Sequence, residues 1–133
     1  MIYDPIAVAV ALLRSQITGV PVSGDLIGHQ AGSARVVVSL LNISNVTRNR
    51  LDRVRLDVHA YGATKNTALH NAMRARHVLM TYGPNFSHDG IAVADANNDF
   101  GPQDISDKTS REHRFVTSLD LYMYMRSLPL VQD

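Results

Sequence analysis

The stretch NRLDRVRLDVHAYG, from Asn49 to Gly62, alternates two kinds of side chain. From Val54 onward, every second residue up to position 60 is apolar, and the residues between them are charged, polar or aromatic. Side chains two residues apart in a strand point to the same face, so this alternation predicts a β-strand with one buried face. The second face is predicted to carry Arg53, Arg55, Asp57, His59 and Tyr61. The role of that charged face is the main functional question.

Length and composition indicate one domain with an ordinary core. The chain has 133 residues, of which 45% are hydrophobic, and both values are typical of a single globular domain. We expect this domain to span residues 1–133, with residues 127–133 as an extended C-terminal tail because Pro129 cannot donate to a sheet. The net charge of +1 argues against a general polyanion binder, since such domains carry a clear basic excess.

Two helices are predicted from their capping residues. Asp4, which proline follows, favours a helix over residues 4–18. Thr64 or Asn66 can cap a second helix that ends near Tyr82, where a Gly-Pro pair follows. The predicted core face of this second helix comprises Ala68, Leu69, Ala72, Met73, Leu79 and Met80.

Apolar and β-branched runs predict the strands. We expect a short edge strand in the glycine-rich stretch before residue 35, strands at 35–43, 48–61, 91–96 and 112–126, a turn at Asp89-Gly90, and a polar loop at 97–110. The second of these long strands would span roughly 45 Å at ~3.3 Å per residue, which is unusually long. The predicted fold is therefore α+β: a mostly antiparallel sheet of about four to five strands, two helices packed on one face, and a long projecting hairpin.

The sequence shows no arrangement typical of catalysis or of cofactor or metal binding. His70 and His77 share a helix face but are seven residues apart, whereas metal-ligand pairs on a helix are three or four apart. The chain has no cysteine, which excludes disulfides and thiol nucleophiles within it. Four aspartates, at positions 95, 99, 104 and 107, lack the spacing of a calcium loop and indicate loop solvation or partner contacts. We therefore predict no enzyme activity and no cofactor.

The charged strand face allows three interpretations. Its arginines could follow the phosphates of a nucleic acid, although few aromatic residues lie between them. The face could simply be solvated, or it could contact a second copy of the chain, because arginine suits paired interfaces. On the last interpretation the interface residues are Arg48, Arg50, Arg53, Arg55, Asp57, His59, Asp99 and Asp104.

A family resemblance favours the interface. The order of an N-terminal helix, the strand RVVVSLLNI, a strand ending DVHAYG, the helix start ATKNTALHNAM, a Gly-Pro loop and the strand HRFVTSLDLYMYMR resembles the tail terminator proteins of long-tailed bacteriophages. The resemblance covers residues 3–126. It depends on element order and on the positions Val58, Ala60, Tyr61 and Gly62, then Gly101, Pro102 and Asp104, then Arg111 or Arg114.

The resemblance implies a structural protein of the virion. Such proteins form a homohexameric ring that caps the head-proximal end of the tail tube, stops its polymerisation and joins the tail to head-neck proteins. The implied partners are further copies of the chain, the tail tube protein and a head-neck connector. Genomic DNA would pass through the ring without sequence-specific binding, and no membrane contact is expected. The implied location is the virion tail, after assembly in the host cytoplasm.

Two alternatives remain open. The chain could be another neck or head-tail connector protein of the same virion. It could also be a small ferredoxin-like module that binds a nucleic acid or a small ligand.

Overall fold

A computed structural model describes residues 4–47, 50–106 and 112–124, apart from the side chains of residues 98 and 99. The predicted C-terminal tail and Arg48 lie outside these residues. The helices are α1 (Pro5–Gln16) and α2 (Lys65–Tyr82), and the strands are β1 (Val22–Ser23), β2 (Arg35–Thr47), β3 (Leu51–Gly62), β4 (Ser87–His88), β5 (Ile91–Asp104) and β6 (His113–Tyr124).

Both helices begin at predicted capping residues. The Asp4 carboxylate accepts hydrogen bonds from the backbone N–H groups of Ile6 and Ala7, at 3.0 and 3.2 Å. The Thr64 hydroxyl accepts one from the N–H of Thr67 at 3.1 Å. Each bond satisfies a donor that the first helical turn leaves free. The first helix ends at residue 16, two residues earlier than predicted.

The strands form one curled sheet in the order β1-β2-β3-β6-β5-β4. Among the strands that the structure describes, the short β1–β2 pair is parallel and every other pair is antiparallel. The predicted α+β class with two helices and a mostly antiparallel sheet is confirmed, but the described residues form six strands instead of four to five. Helix α1 contacts α2, β1 and β2, and also β4 at the far edge, so the sheet curls around the helices.

The predicted projecting hairpin is wrong in one respect. Strands β2 and β3 do form a long antiparallel hairpin. However, β3 also pairs with β6 along its full length, from Leu51 opposite Tyr124 to Gly62 opposite His113. The hairpin is therefore part of the sheet, because β6 is as long as β3 and supplies a partner for every residue of it.

The predicted polar loop is also wrong over residues 97–104, because β5 continues to Asp104; residues 107–110 lie outside the described part of the chain. Its pairing with β6 shifts register three times between Val93 and Gln103, and such irregularities accommodate residues that suit a regular strand poorly. Pairing with a long neighbouring strand therefore overrides the low strand propensity of this segment. The predicted turn is confirmed: Asp89 and Gly90 both have positive φ, at 51° and 78°, and they join β4 to β5.

The core lies between the helices and one face of the sheet. The apolar side of β3 is buried as predicted, and so is the side of β6 that runs from Phe115 to Met123. The predicted core face of α2 is partly wrong, because Leu69 and Met73 are exposed and Met80 is only partly buried. The residues of α2 that are buried are Ala68, Asn71, Ala72, Ala75, Val78 and Leu79.

Small residues explain why α2 buries a different face from the predicted one. A Cβ at Gly62 would come within 2.5 Å of the backbone nitrogen of Ala68, so the start of the helix packs directly on the end of β3. The buried Asn71 side chain donates to the Tyr61 carbonyl at 3.0 Å. Such close packing leaves room for alanines and turns the longer Leu69 and Met73 outward.

Candidate interaction surfaces

The face of the sheet opposite the helices, here called the outer face, carries the charged side of β3. Strands β2 and β6 flank that side on either hand. Arg55 lies between Asn42 and Asp120, Asp57 between Ser39 and Ser118, and His59 between Val37 and Val116.

Arg55 is bound within its own chain. Its guanidinium donates from Nε and Nη2 to the two Asp120 oxygens, at 2.9 and 3.2 Å. The Asp120 side chain is buried and that of Arg55 is about one third exposed. A two-point pair between an arginine and a buried carboxylate is strong and directional. The Arg55 charge therefore compensates the buried Asp120 carboxylate on β6.

Asp57 and His59 also make contacts within the sheet. Asp57 accepts a short hydrogen bond from the Ser118 hydroxyl, and His59 Nε2 lies 3.4 Å from the Ser39 hydroxyl. Burial, followed by the nearby positive charge of Arg114, lowers the pKa of His59, and the negative charge of Asp57 opposes the shift. His59 Nδ1 is buried and has no hydrogen-bond partner among the described residues.

The remaining interface candidates fall into separate places. Arg50 is exposed in the turn between β2 and β3, and Arg53 on β3 makes a long contact of 3.5 Å with the Ser44 hydroxyl. Asp104 is exposed at the opposite end of the sheet, where it pairs with Lys65 at 3.5 Å. Hydrogen bonds from Ser106, and then the charge of Lys65, lower the pKa of Asp104. The side chain of Asp99 lies outside the described part of the structure.

Sequence reasoning did not identify the outer edge of β2. Strand β1 covers this edge only at Val36 and Val37, and no described strand pairs with the outer side of residues 38–47, which we call the open edge. This segment contains no charged residue and no proline. Its exposed apolar side chains are Leu40, Leu41, Ile43 and Val46.

Two bulges shape the open edge. The β2–β3 register shifts at Leu41 and again at Val46, and these two side chains are each 53% exposed. Bulges limit uncontrolled pairing at an edge. However, an edge with exposed apolar side chains and no charge is also a surface on which another strand can pair.

The opposite edge of the sheet has a different composition. Strand β4 covers β5 only at Ile91 and Ala92, and no described strand pairs with the outer side of residues 94–104, which we call the acidic edge. Asp95 and Asp104 are exposed on it, and it contains a third aspartate and one proline but no basic residue.

A pocket of about 280 Å³ lies on the outer face, at the end of the sheet where residues 24–34 cross it. His29 of this loop pairs with Glu112, and its ring lies 4.7 Å from that of Tyr61. These contacts fix the loop over the sheet. The pocket is lined by Asp25, Leu26, Val37, Ser39, His59, Tyr61 and Arg114.

Comparison with known proteins provides no identification. No protein-family model matches the chain, and no curated protein matches it. Among the described residues, there is no group of three or more histidine or acidic side chains that could hold a metal ion. Within the described residues, no helix has the length and apolar character needed to cross a membrane.

Proposed function

We propose that this chain is a structural protein that assembles into a ring through the two edges of its sheet, as a tail terminator of a long-tailed phage. The observation that carries the proposal is the contrast between the open edge and the acidic edge. A head-to-tail ring uses two different patches on each subunit, whereas a two-fold dimer uses one patch twice. Two unlike edges on one sheet meet the requirement for a ring.

Strand direction supports this mode of assembly. The neighbours in the series β2-β3-β6-β5 are all antiparallel, so β2 and β5 run in opposite directions. In a ring whose axis follows the strands, every subunit has the same axial orientation. The β5 strand of one subunit would then lie antiparallel to β2 of the next, and antiparallel pairs are slightly more stable per residue than parallel ones.

Charge supports the same pairing. In that arrangement the turn end of the open edge, with Arg50 and Arg53 beside it, would approach the end of the acidic edge that carries Asp95. The other end of β2, at Arg35, would approach Asp104. Complementary charges at the rim of an apolar contact set its register and disfavour other alignments.

The remaining parts of the proposal follow the family resemblance. The ring would be a hexamer on the head-proximal end of the tail tube, with the tube protein on one side and a neck connector on the other. DNA would pass through its centre. A nucleic-acid-binding module is less well supported, because Arg55 and Asp57, both on the outer face, already have partners within the chain.

Imaging and native mass measurement of the purified protein test the proposal. We expect closed rings for the unaltered chain, and monomers for Ile43→Lys, which places a charge on the open edge. Met73→Lys is the matched control, because it adds the same charge at an exposed apolar position of α2, and it should form rings. Rings of Ile43→Lys, or their loss in both variants, would contradict assembly through this edge.

A second assay separates a terminator from another neck protein. A terminator ring added to polymerising tube protein of the same phage should shorten the tubes, and Ile43→Lys should not. Rings that leave tube length unchanged would instead favour the head-tail connector alternative.

A further inference from the structure

The pocket on the outer face has features of a binding site that the proposed ring does not use. Its floor is formed by Val37 and Ser39 of β2 together with His59 and Tyr61 of β3. Arg114 of β6 and the loop residues Asp25 and Leu26 complete it. The pocket therefore combines apolar walls with one arginine, one histidine, one carboxylate and the two hydroxyl groups of Ser39 and Tyr61.

Arg114 lines this pocket and contacts the side chain of Tyr61. Its Nη1 lies 3.4 Å from the Tyr61 hydroxyl, and its guanidinium carbon lies 5.8 Å from the centre of the Tyr61 ring. Among the described residues, no carboxylate pairs with it. Arg55, on the same face, shows the contrasting case, because both of its contacts with Asp120 are within hydrogen-bond distance. An arginine fork held against an aromatic ring, without an acid, is suited to bind one.

The charge of Arg114 extends into the pocket. It contributes, after burial, to lowering the pKa of His59, which lines the same pocket. The carboxylate of Asp57 opposes this effect on the pKa of His59. Asp57 already accepts a hydrogen bond from Ser118, and Asp25 lines the pocket while accepting one from the N–H of Ile27 at 3.0 Å.

We propose that this pocket binds a carboxylate group carried on a short apolar stem, with the Arg114 guanidinium as its main contact. One permanent cation compensates one negative charge, and Asp25 would repel a doubly charged phosphate more strongly than a carboxylate. Leu26, Val37 and the Tyr61 ring would pack against the stem. The volume of about 280 Å³ lies just below the range of about 300–1,000 Å³ that is usual for ligand pockets, so the pocket suits a group no larger than an amino-acid side chain.

Titration of the isotope-labelled protein with butyrate, followed by NMR at constant ionic strength, tests this site. We expect saturable shifts in the signals of Ser39, His59 and Arg114, with a dissociation constant of order 1 mM, as befits one charged contact and a small apolar area. Butyramide, which has the same shape without the charge, should cause none of them. The absence of saturation with butyrate, or equal shifts with butyramide, would overturn the proposal.

Variants assign the binding to the guanidinium. Arg114→Gln should weaken butyrate binding at least tenfold, and Arg114→Lys, which keeps the charge but loses the fork, should weaken it less. Arg74→Gln removes the same charge from helix α2 and should bind butyrate as the unaltered chain does. Equal binding by all three variants would overturn the proposal. If Arg114→Gln fails to fold, unchanged binding by Arg114→Lys would overturn the two-point contact.

Two further probes define the ligand. Inorganic phosphate should bind more weakly than butyrate, and tighter binding of phosphate would overturn the assignment to a carboxylate. A short glutamate peptide with blocked ends distinguishes the two sources of this chemistry. Tighter binding of the peptide than of butyrate indicates an acidic side chain of another protein, and the reverse indicates a small free acid. Ring assembly is not part of this assay, so the site and the proposed function can fail separately.

Discussion

The two edges of the sheet differ in the features that limit pairing with other strands. The acidic edge carries aspartates and a proline, which are the usual protection against unwanted pairing. The open edge has bulges at Leu41 and Val46 but exposes apolar side chains and no charge. In the proposed ring, the open edge of one copy pairs with the acidic edge of the next.

The middle of the sheet gives the largest expected effect on stability. Asp120→Ala removes the buried carboxylate that Arg55 binds, and the loss of one partner from a largely buried pair costs about 3–5 kcal/mol. Since Arg55 is partly exposed, we expect about 2–3 kcal/mol from urea unfolding. Arg53→Gln, on the same strand, should cost less than about 0.5 kcal/mol. Equal losses for both would show that the pair does not hold β3 to β6.

A charge exchange tests whether Arg53 of one copy meets Asp95 of the next. Arg53→Glu should weaken ring assembly without unfolding the subunit, because the contact of Arg53 with Ser44 is long, at 3.5 Å. Asp95→Arg should weaken it similarly, by a factor of about 5–50 in subunit concentration. The double variant should recover most of the loss, as measured by native mass against concentration. Additive losses in the double variant would mean that these two residues do not meet.

His59, on the outer face, should make a smaller contribution to the free energy of unfolding, and this contribution depends on pH. The pKa of His59 is lowered in the folded protein, so the unfolded chain binds more protons as the pH falls below the ordinary value of about 6.5. The neutral imidazole of His59 is therefore compatible with folding above that pH, and the free energy of unfolding declines on acidification. The free energy of unfolding should fall less between pH 7.5 and 5.5 for His59→Gln than for the unaltered chain. Equal pH dependence in the two proteins would indicate that burial does not lower the pKa of His59.

Local patterns predicted much of the fold. The alternation in β3 identified its buried face, and Asp4 and Thr64 identified the starts of both helices. These features depend on neighbouring residues, which the sequence shows directly. The apolar run of β2 was also predicted as a strand, but the run alone does not distinguish a covered strand from an edge.

The errors came from contacts between distant parts of the chain. Strand β5 extends through a polar segment because β6 pairs with it, and α2 turns Leu69 outward because its alanines pack close to Gly62. The ion pair of Arg55 joins residues 65 positions apart. The candidate interface residues were grouped from the charged face of one strand and the aspartates of a predicted loop. The structure separates Arg50 and Arg53 from Asp104 and pairs Arg55 with Asp120.

The most direct test of assembly through the edges is hydrogen exchange at the backbone amides of residues 38–47. We predict that the outward-facing amides of this segment exchange slowly in assembled rings and rapidly in the Ile43→Lys monomer, because pairing with a neighbouring strand occupies them. Protection should also appear at residues 94–104 in the rings. Rings in which the amides of residues 38–47 exchange as rapidly as in the monomer would contradict assembly through the open edge.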